Sequence, residues 1–297
     1  MADLIGLMAG SGELFFYANG GWVGNFRNQV TLGGRGVALL ERPDGSKPHD
    51  IVSGNSQGAI YRWRWVATQG GRWEQLREAG VDAIPQVPAI GGLRDIRGLA
   101  VHPTVGLLVL LRGASGNAPG VYSWRPGEST WTERATGRPF TTSIGLACRA
   151  SDGAVFTVSN LTNIENGDAN PPAGYALIQF YIVPSRMGDS RVARTPAQVG
   201  GNVAIASDGS DLFYVTDTDA TARNIYSWDG LTASLTAHLR TFTTVEAPLP
   251  TDRFDNLEDP LGGNIGGLFV YNYRCSVRWR WSEATSRLRV MGATFSM

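Results

Sequence analysis

AIYRWRW, residues 59–65, returns along the chain as GVYSWRP at 120–126, NIYSWDG at 224–230 and SVRWRWS at 276–282. Each phrase sets bulky side chains at alternate positions, the period that lines one face of a β-strand. LIQFYIV at 177–183 fills the gap between the second and third phrases, and GGWVGNF at 20–26 precedes them all, which makes six copies. Anchored on Trp22, Trp63, Trp124, Phe180, Trp228 and Trp279, they are spaced by 41, 61, 56, 48 and 51 residues. Self-similarity at such a period is the signature of a repeat architecture.

Outward from the phrase, each copy has the same surroundings. Before it lies a nearly continuous apolar run: LFFYA, DIVSG, LLVLL, AVFTV, LFYVT and LFVYN in chain order. Such runs suit strands covered on both faces. Further upstream, GVALLERPDG, GLAVHPTVG, GLACRASDG and NVAIASDG begin with small apolar residues and end in a polar turn. After the phrase, RWEQL, TWTER, RVART, TAHLR and SRLRV are short and polar. A gradient from a buried inner strand to an exposed outer one is what a radially packed blade requires.

The succession of a D-G turn, a strand and an I-Y-x-W strand resembles generic β-propeller repeats of the kelch or tectonin-lectin kind. The mean spacing is close to the roughly 50-residue kelch period. The kelch double glycine is irregular here, and the WD dipeptide occurs only at Trp228 and Asp229. The expectation is an all-β chain forming a single β-propeller domain over 1–297, with about six four-stranded blades and five or seven as alternatives. Asp3 to Met8 and Arg289 to Phe295 are both strand-like. Their pairing is expected to close the ring, so that no sheet edge is left between first and last blades.

Composition narrows the partners. Apolar residues make up 42% of the 297 and charged residues 18%, which predicts a soluble globular chain with a sizeable core. Twenty-six basic residues balance twenty-six acidic ones, so no net field draws the chain to nucleic acid. Cys148 and Cys275 stand outside any CxxC spacing and are expected to be small buried hydrophobes. MADLIGLMAGSGELFF lacks the charged lead of a secretory signal, and no run reaches membrane-spanning length, so a cytoplasmic or virion-assembled location is expected.

Reactive motifs are scarce. His49, His102 and His238 form no HExxH and are expected in turns or at the surface. GxSxG, P-loop and dinucleotide fingerprints are missing, and AGSG at 9–12 and GGRG at 33–36 are expected as short turns. The two ASDG turns, at 150–153 and 206–209, resemble the sialidase Asp-box without its full spacing. Paired carboxylates for glycosidase chemistry are available in TDTDAT, with Asp217 and Asp219, and in TDRFDNLEDP, with Asp252, Asp255, Glu258 and Asp259. Asp217 and Asp219 are also the candidates for a Ca²⁺, though EF-hand spacing is absent; no other cofactor is expected.

Binding residues are sought in two places. Trp63, Trp124, Trp228 and Trp279 recur at the phrase position and are expected to pack blade on blade, whereas Trp65, Trp73, Trp131 and Trp281 are candidates for stacking on a ligand. Three irregular segments, 81–95, 159–175 and 240–264, exceed a blade turn, and long loops on a rigid scaffold tend to carry contacts. They supply Asn166, Asp168, Asp252, Arg253 and Asp255 as binding candidates. The residues favour a non-enzymatic binding or assembly module, with protein partners in a phage-like virion, tail or capsid associated, or at a host surface. A glycan-binding propeller lectin and a glycosidase or lyase using the acidic loops stand as alternatives, and no membrane insertion is expected.

Overall fold

A computed structural model describes residues 3–8, 14–18, 21–26, 34–42, 44–45, 49–66, 72–76, 83–137, 140, 142–160, 174–182, 185–186, 191–195, 204–207, 213–216, 225–228, 236–239, 265–271, 274–282 and 287–296. Every named element among them is a β-strand. No helix among the described residues is long and apolar enough to cross a membrane.

GRGVALL forms β4 (Gly34–Leu40), DIVSGN β5 (Asp50–Asn55), IYRWRWV β6 (Ile60–Val66) and RWEQ β7 (Arg72–Gln75), joined as one antiparallel sheet in that order. The next copy repeats the pattern in β8 (Asp95–His102), β9 (Gly106–Arg112), β10 (Gly120–Trp124) and β11 (Thr132–Thr136). A third sheet contains β12 (Ile144–Arg149), β13 (Ala154–Asn160), β14 (Tyr175–Ile182), β15 (Ser185–Arg186) and β16 (Arg191–Arg194), the last two both pairing with β14. A fourth contains β17 (Ile205–Ser207), β18 (Phe213–Thr216), β19 (Ile225–Trp228) and β20 (Thr236–Leu239). The expected gradient is present: β5, β9 and β13 are buried almost throughout, while β11 is largely exposed.

The remaining sheet joins the two ends of the chain. β1 (Asp3–Met8), β2 (Leu14–Ala18) and β3 (Gly21–Phe26) are preceded in space by β21 (Ile265–Tyr271), giving the order β21, β1, β2, β3. The inner strands touch in the order β21, β4, β8, β12, β17 and back to β21, so the sheets stand radially around an axis as propeller blades. Among the described residues there are five sheets of four or five strands and one two-stranded hairpin.

Two expectations about the ends are corrected. β1 does not pair with Arg289 to Phe295; Leu4 faces Val270 and Leu7 faces Gly267. Arg289 to Phe295 lies instead in β23 (Arg287–Ser296), paired with β22 (Arg274–Ser282), so the last phrase makes a hairpin rather than the third strand of a blade. IGGLFVY takes the inner position, in contact with β4 on one side and β17 on the other. GGWVGNF, taken as a phrase copy, is the outermost strand of its sheet.

The phrase aromatics pack sheet on sheet. Trp63 faces Ile51, Trp124 faces Leu107, Phe180 faces Val155 and Trp228 faces Phe213, the same register in four blades. All four aromatics are buried. Period-two alternation then divides each sheet between its neighbours. Leu107, Val109, Leu111, Tyr122 and Trp124 share a cluster with Ala38, Leu40 and Val52 of the sheet before. Leu108, Leu110 and Val121 share one with Leu146, Val155 and Phe180 of the sheet after. Phe140 and Phe180 meet edge to face at 5.2 Å, as do Phe156 and Phe213 at 4.7 Å.

Around the axis the spacing is closer than side chains allow. A Cβ on Gly36 would lie 2.6 Å from the Leu99 nitrogen, and one on Gly98 would lie 2.6 Å from the Leu146 nitrogen and 2.8 Å from the Gly145 carbonyl carbon. Backbone abuts backbone from β4 to β8 to β12, and the obstructing atoms cannot rotate away. Gly98→Ala is therefore expected to destabilise by about 1–3 kcal/mol or to prevent folding, since overpacking here forces the inner strands apart. Urea unfolding measures it; a variant with the parent's midpoint would show that the inner strands are not in contact.

Candidate functional site

The inner strands start at one end of the axis, and that start is irregular. Register shifts fall between Gly34 and Val37, between Ile96 and Gly98, and between Ile144 and Ala147, a bulge recurring in three consecutive blades. Bulges re-aim side chains at sheet rims. The residue before the tightly packed glycine is Arg35 in β4, Arg97 in β8 and Ile144 in β12. Two neighbouring blades thus place a guanidinium where the third has an aliphatic side chain. GGRG, expected as a turn, is in fact the entry into β4 from Gly34 onward.

Asp95 opens β8 beside this pair. Its Oδ2 lies 2.5 Å from Arg97 Nη2, with the Asp95 side chain 10% and the Arg97 side chain 19% exposed. Its other oxygen, Oδ1, is buried without a hydrogen-bond partner among the described residues, and so are Nε of Arg35 and Nε of Arg97. Buried polar atoms left unpaired cost about 1–3 kcal/mol each, and each one in a native structure calls for an explanation. Burial, and then the neighbouring Arg97, lower the Arg35 pKa from its ordinary value, with Asp95 opposing. The group carries two positive charges and one negative.

A contrast lies at the far end of β5. Asp50, fully buried, accepts from Arg42 Nε at 2.9 Å, from Arg62 Nε at 2.7 Å and from both Nε and Nη2 of Arg64, at 2.9 and 2.7 Å. Both oxygens of that carboxylate are used, as a structural ion cluster requires. Asp95 uses one.

Seven of the candidates named from sequence, Asn166, Asp168, Asp217, Asp219, Asp252, Arg253 and Asp255, lie outside the described residues. Trp65 and Trp73 belong to the end opposite Arg35 and Asp95, where they are cross-strand partners, and Trp281 faces Leu288 in the hairpin. Trp131 is half-buried: its indole N–H donates to the Pro85 carbonyl at 2.8 Å and its ring lies 6.3 Å from Trp124. Among the described residues no three His, Cys, Asp or Glu gather as a metal site.

Of the irregular segments, residues 83–94 are described, and they follow the seam between the sheet of β4 to β7 and the sheet of β8 to β11. Ile84, Val87 and Ile90 are buried in the cluster those sheets share. The Ile90 carbonyl accepts from Ala114, and Arg94 Nε donates to the Val87 carbonyl. This burial was not legible in the sequence, because prolines and glycines hide three apolar residues spaced by three.

His102, expected in a turn or at the surface, is buried at the end of β8. Its Nδ1 accepts from the Thr104 and Val105 amides at 3.0 and 3.3 Å, which leaves the proton on Nε2 to donate to the Gly153 carbonyl at 3.1 Å. This bond ties one sheet to the ASDG turn of the next. In that turn Asp152 accepts the Ala154 amide and pairs with Arg149, which holds its carboxyl at about 2. Burial pushes the half-buried Cys148 thiol up to about 12, a value that makes it unreactive.

Arg35, Asp95 and Arg97 were missed in the sequence. The signal was present in RGVA at 35–38 and RGLA at 97–100 against IGLA at 144–147, two arginines at one position of a repeat.

No family model and no curated protein matches the chain, so the kelch or tectonin resemblance goes no further than a generic propeller. Among solved structures it is similar to a protein assigned as a gluconolactonase, at 13% identity over 80% of this chain and 78% of that one, with a TM-score of 0.44. It is similar to the Penicillium chrysogenum α-L-arabinanase at 9% identity, over 76% and 72% of the two chains, with a TM-score of 0.39. The Neurospora crassa Pan2 WD40 domain matches at 11% identity over 91% of this chain and 63% of that one, with a TM-score of 0.33. These likenesses concern the propeller fold alone. Because enzymes are among them, the expectation that this chain is not an enzyme is corrected: a missing catalytic motif on this fold excludes nothing.

His102 makes the fold sensitive to acid. Burial, aided by Arg134 and Arg125, lowers its pKa below the ordinary 6.5, while the Gly153 bond opposes this. The unfolded chain therefore takes up the proton first, so this contribution to stability is full above pH 6.5 and is lost as pH falls through the folded value. His102→Asn keeps an acceptor for the Thr104 amide and does not titrate. Its Tm is expected to fall less between pH 7.5 and pH 5 than the parent's; equal falls would rule out His102 as the source.

Proposed function

We propose that this propeller binds a small polar ligand at the end of the axis where β4 and β8 begin, with Arg35, Asp95 and Arg97 as the recognition group. The observation that carries this reading is the unpaired buried Oδ1 of Asp95 beside two guanidinium Nε groups that also lack partners. A carboxylate that only stabilised the fold would be expected to use both of its oxygens, as Asp50 does with its three arginines. These atoms are covered in the chain alone, so a ligand reaches them only as the strand entry opens, and desolvation then strengthens each hydrogen bond.

The position supports the same reading. In the sheet of β4 to β7, as in that of β8 to β11, the second strand ends and the third begins at this end. A glycan-binding role is compatible with the site, since hydroxyl groups both donate and accept. The role as a tail- or capsid-associated particle component contacting other virion proteins or a host surface draws no support from the fold or the comparisons.

A thermal-shift screen of polar metabolites and oligosaccharides against the parent and Asp95→Asn tests the proposal. At least one compound is expected to raise the parent's Tm by several degrees and to leave the variant's unchanged. A panel with no stabilising compound, or one that stabilises both proteins equally, would reject this site.

A further inference from the structure

We propose that the hairpin of β22 and β23 is a membrane-surface anchor, an amphipathic β-ribbon that lays one face on a bilayer rich in anionic lipid and holds its arginines at headgroup level.

The two faces follow from the register. With Trp279 opposite Val290 and Trp281 opposite Leu288, period-two alternation sets Val277, Trp279, Trp281, Leu288, Val290 and Phe295 on one face. The other face carries Arg274, Arg278, Arg280, Arg287 and Arg289, with serine, threonine and one glycine between them. A register shift between Arg278 and Trp279 completes this separation by leaving Met291 as an extra residue in β23. Without the shift, Val290 would stand opposite Arg280, and Arg289 would stand opposite Trp281. The bulge thus gathers five arginines on one side of the ribbon and its tryptophans on the other.

The propeller does not use this ribbon. Its ring of inner strands closes through β21, which touches β4 and β17 and pairs with β1. Among the described residues β22 and β23 pair only with each other, and no other strand packs along them. A two-stranded hairpin alone is marginally stable at best in water, so a ribbon of this composition calls for a partner. Arg280 also lies directly opposite Arg289, a like-charge pair that destabilises the hairpin in the absence of an anion.

Charge is segregated along the chain. Residues 274–297 hold five arginines and one acidic residue, Glu283, while residues 1–273 hold the other 21 basic and 25 acidic residues. The balanced total therefore hides a cationic end on an acidic body. The acidic residues from Glu246 to Asp259 precede β21 and the hairpin follows it, so the two join the fold at opposite ends of a seven-residue strand, about 23 Å apart. A carboxylate drawn to the arginines would still leave the face of Trp279 and Trp281 uncovered.

An anionic bilayer uses both faces together. Amphipathic elements at a membrane interface put Trp, Phe and Leu into the boundary with the acyl chains and carry Lys or Arg on the polar side. Tryptophan favours the headgroup level, and anionic lipid attracts basic residues close to the surface. A nucleic acid would engage the arginines and leave the tryptophan face in water. A second copy meeting that face would leave the arginines without counter-charge. The attachment stays at the surface, since a lone hairpin crossing the bilayer would carry two unpaired strand edges into hydrocarbon.

Co-sedimentation of the full chain with vesicles of phosphatidylcholine alone, and of equal parts phosphatidylcholine and phosphatidylglycerol, tests the proposal. The parent is expected to bind the anionic vesicles at least about tenfold more tightly than the neutral ones, and to bind less as salt rises. Arg280→Ser combined with Arg289→Ser is expected to weaken binding by about tenfold or more, the effect of two charges at the surface. Trp279→Ser combined with Trp281→Ser is expected to weaken it by about tenfold or more as apolar burial is lost. Both variants are expected to keep the parent's Tm, because the hairpin lies outside the ring. No binding by the parent, or equal binding to the two kinds of vesicle, would overturn the proposal without reference to any variant. Duplex DNA that displaces the parent from vesicles, with the tryptophan variant binding as the parent does, would overturn it in favour of a soluble polyanion. A dimer in solution that the tryptophan variant abolishes, with vesicles left unbound, would assign that face to a second copy instead.

Discussion

The contact on which the rest of this structure depends is backbone against backbone at the axis. Gly36 reaches the Gly98 and Leu99 main chain, and Gly98 reaches that of Gly145 and Leu146. A side chain at either glycine would push its strand outward, and every outer strand of that sheet would move with it. Close approach at the centre also fixes the phase of the sheets. Once the glycine faces the next inner strand, period-two alternation determines which residues of β9 and β10 meet the sheet before and which meet the sheet after. The phrase aromatics fall on the side facing back, and for this reason Trp124 joins Leu40 and Val52 in one cluster.

The same constraint generates the candidate site. To bring a glycine against its neighbour the inner strand bulges, and the residue before the glycine is released from ordinary sheet pairing. Where that residue is Ile144, the effect is packing. Where it is Arg35 or Arg97, a charge is held at the rim of the axis, partly desolvated and beside a like charge. Asp95 relieves one of the two. The far end of the sheet of β4 to β7 solves a similar problem differently, with a single carboxylate shared among Arg42, Arg62 and Arg64. Arginine is thus used both as structural fastening and as an open recognition group, and hydrogen-bond satisfaction of the carboxylate separates the two.

Most of the blade plan was readable because it is written in local patterns. The phrase recurs as the third strand of four sheets, the apolar run before it as the buried second strand, and the polar stretch after it as the outer strand. Trp63, Trp124, Phe180 and Trp228 pack as expected for the same reason, since alternation and bulk identify them. The ends were misjudged where two strands had equal local merit. Arg289 to Phe295 and IGGLFVY both read as strands, and only competition for the place beside β1 and β4 distinguishes them. Residues 83–94 were taken for a contact loop because prolines mask the three aliphatic residues that bury it.

By itself the sequence determined the all-β class, the repeat, the strand order within a blade and the aromatic packing positions, because each depends on spacing within a few residues. Tertiary structure decided which strand completes the sheet of β1 to β3, that His102 is a buried link, and that Arg35 comes within the electrostatic reach of Arg97, 62 positions later, and of the Asp95 that pairs with Arg97. Those outcomes depend on register between sheets, and register is fixed by the glycine contacts at the axis rather than by any property of the segments alone. The repeated tryptophans that mark the phrase belong to the core of this propeller, and the group that marks its proposed site is two arginines placed one residue ahead of a glycine.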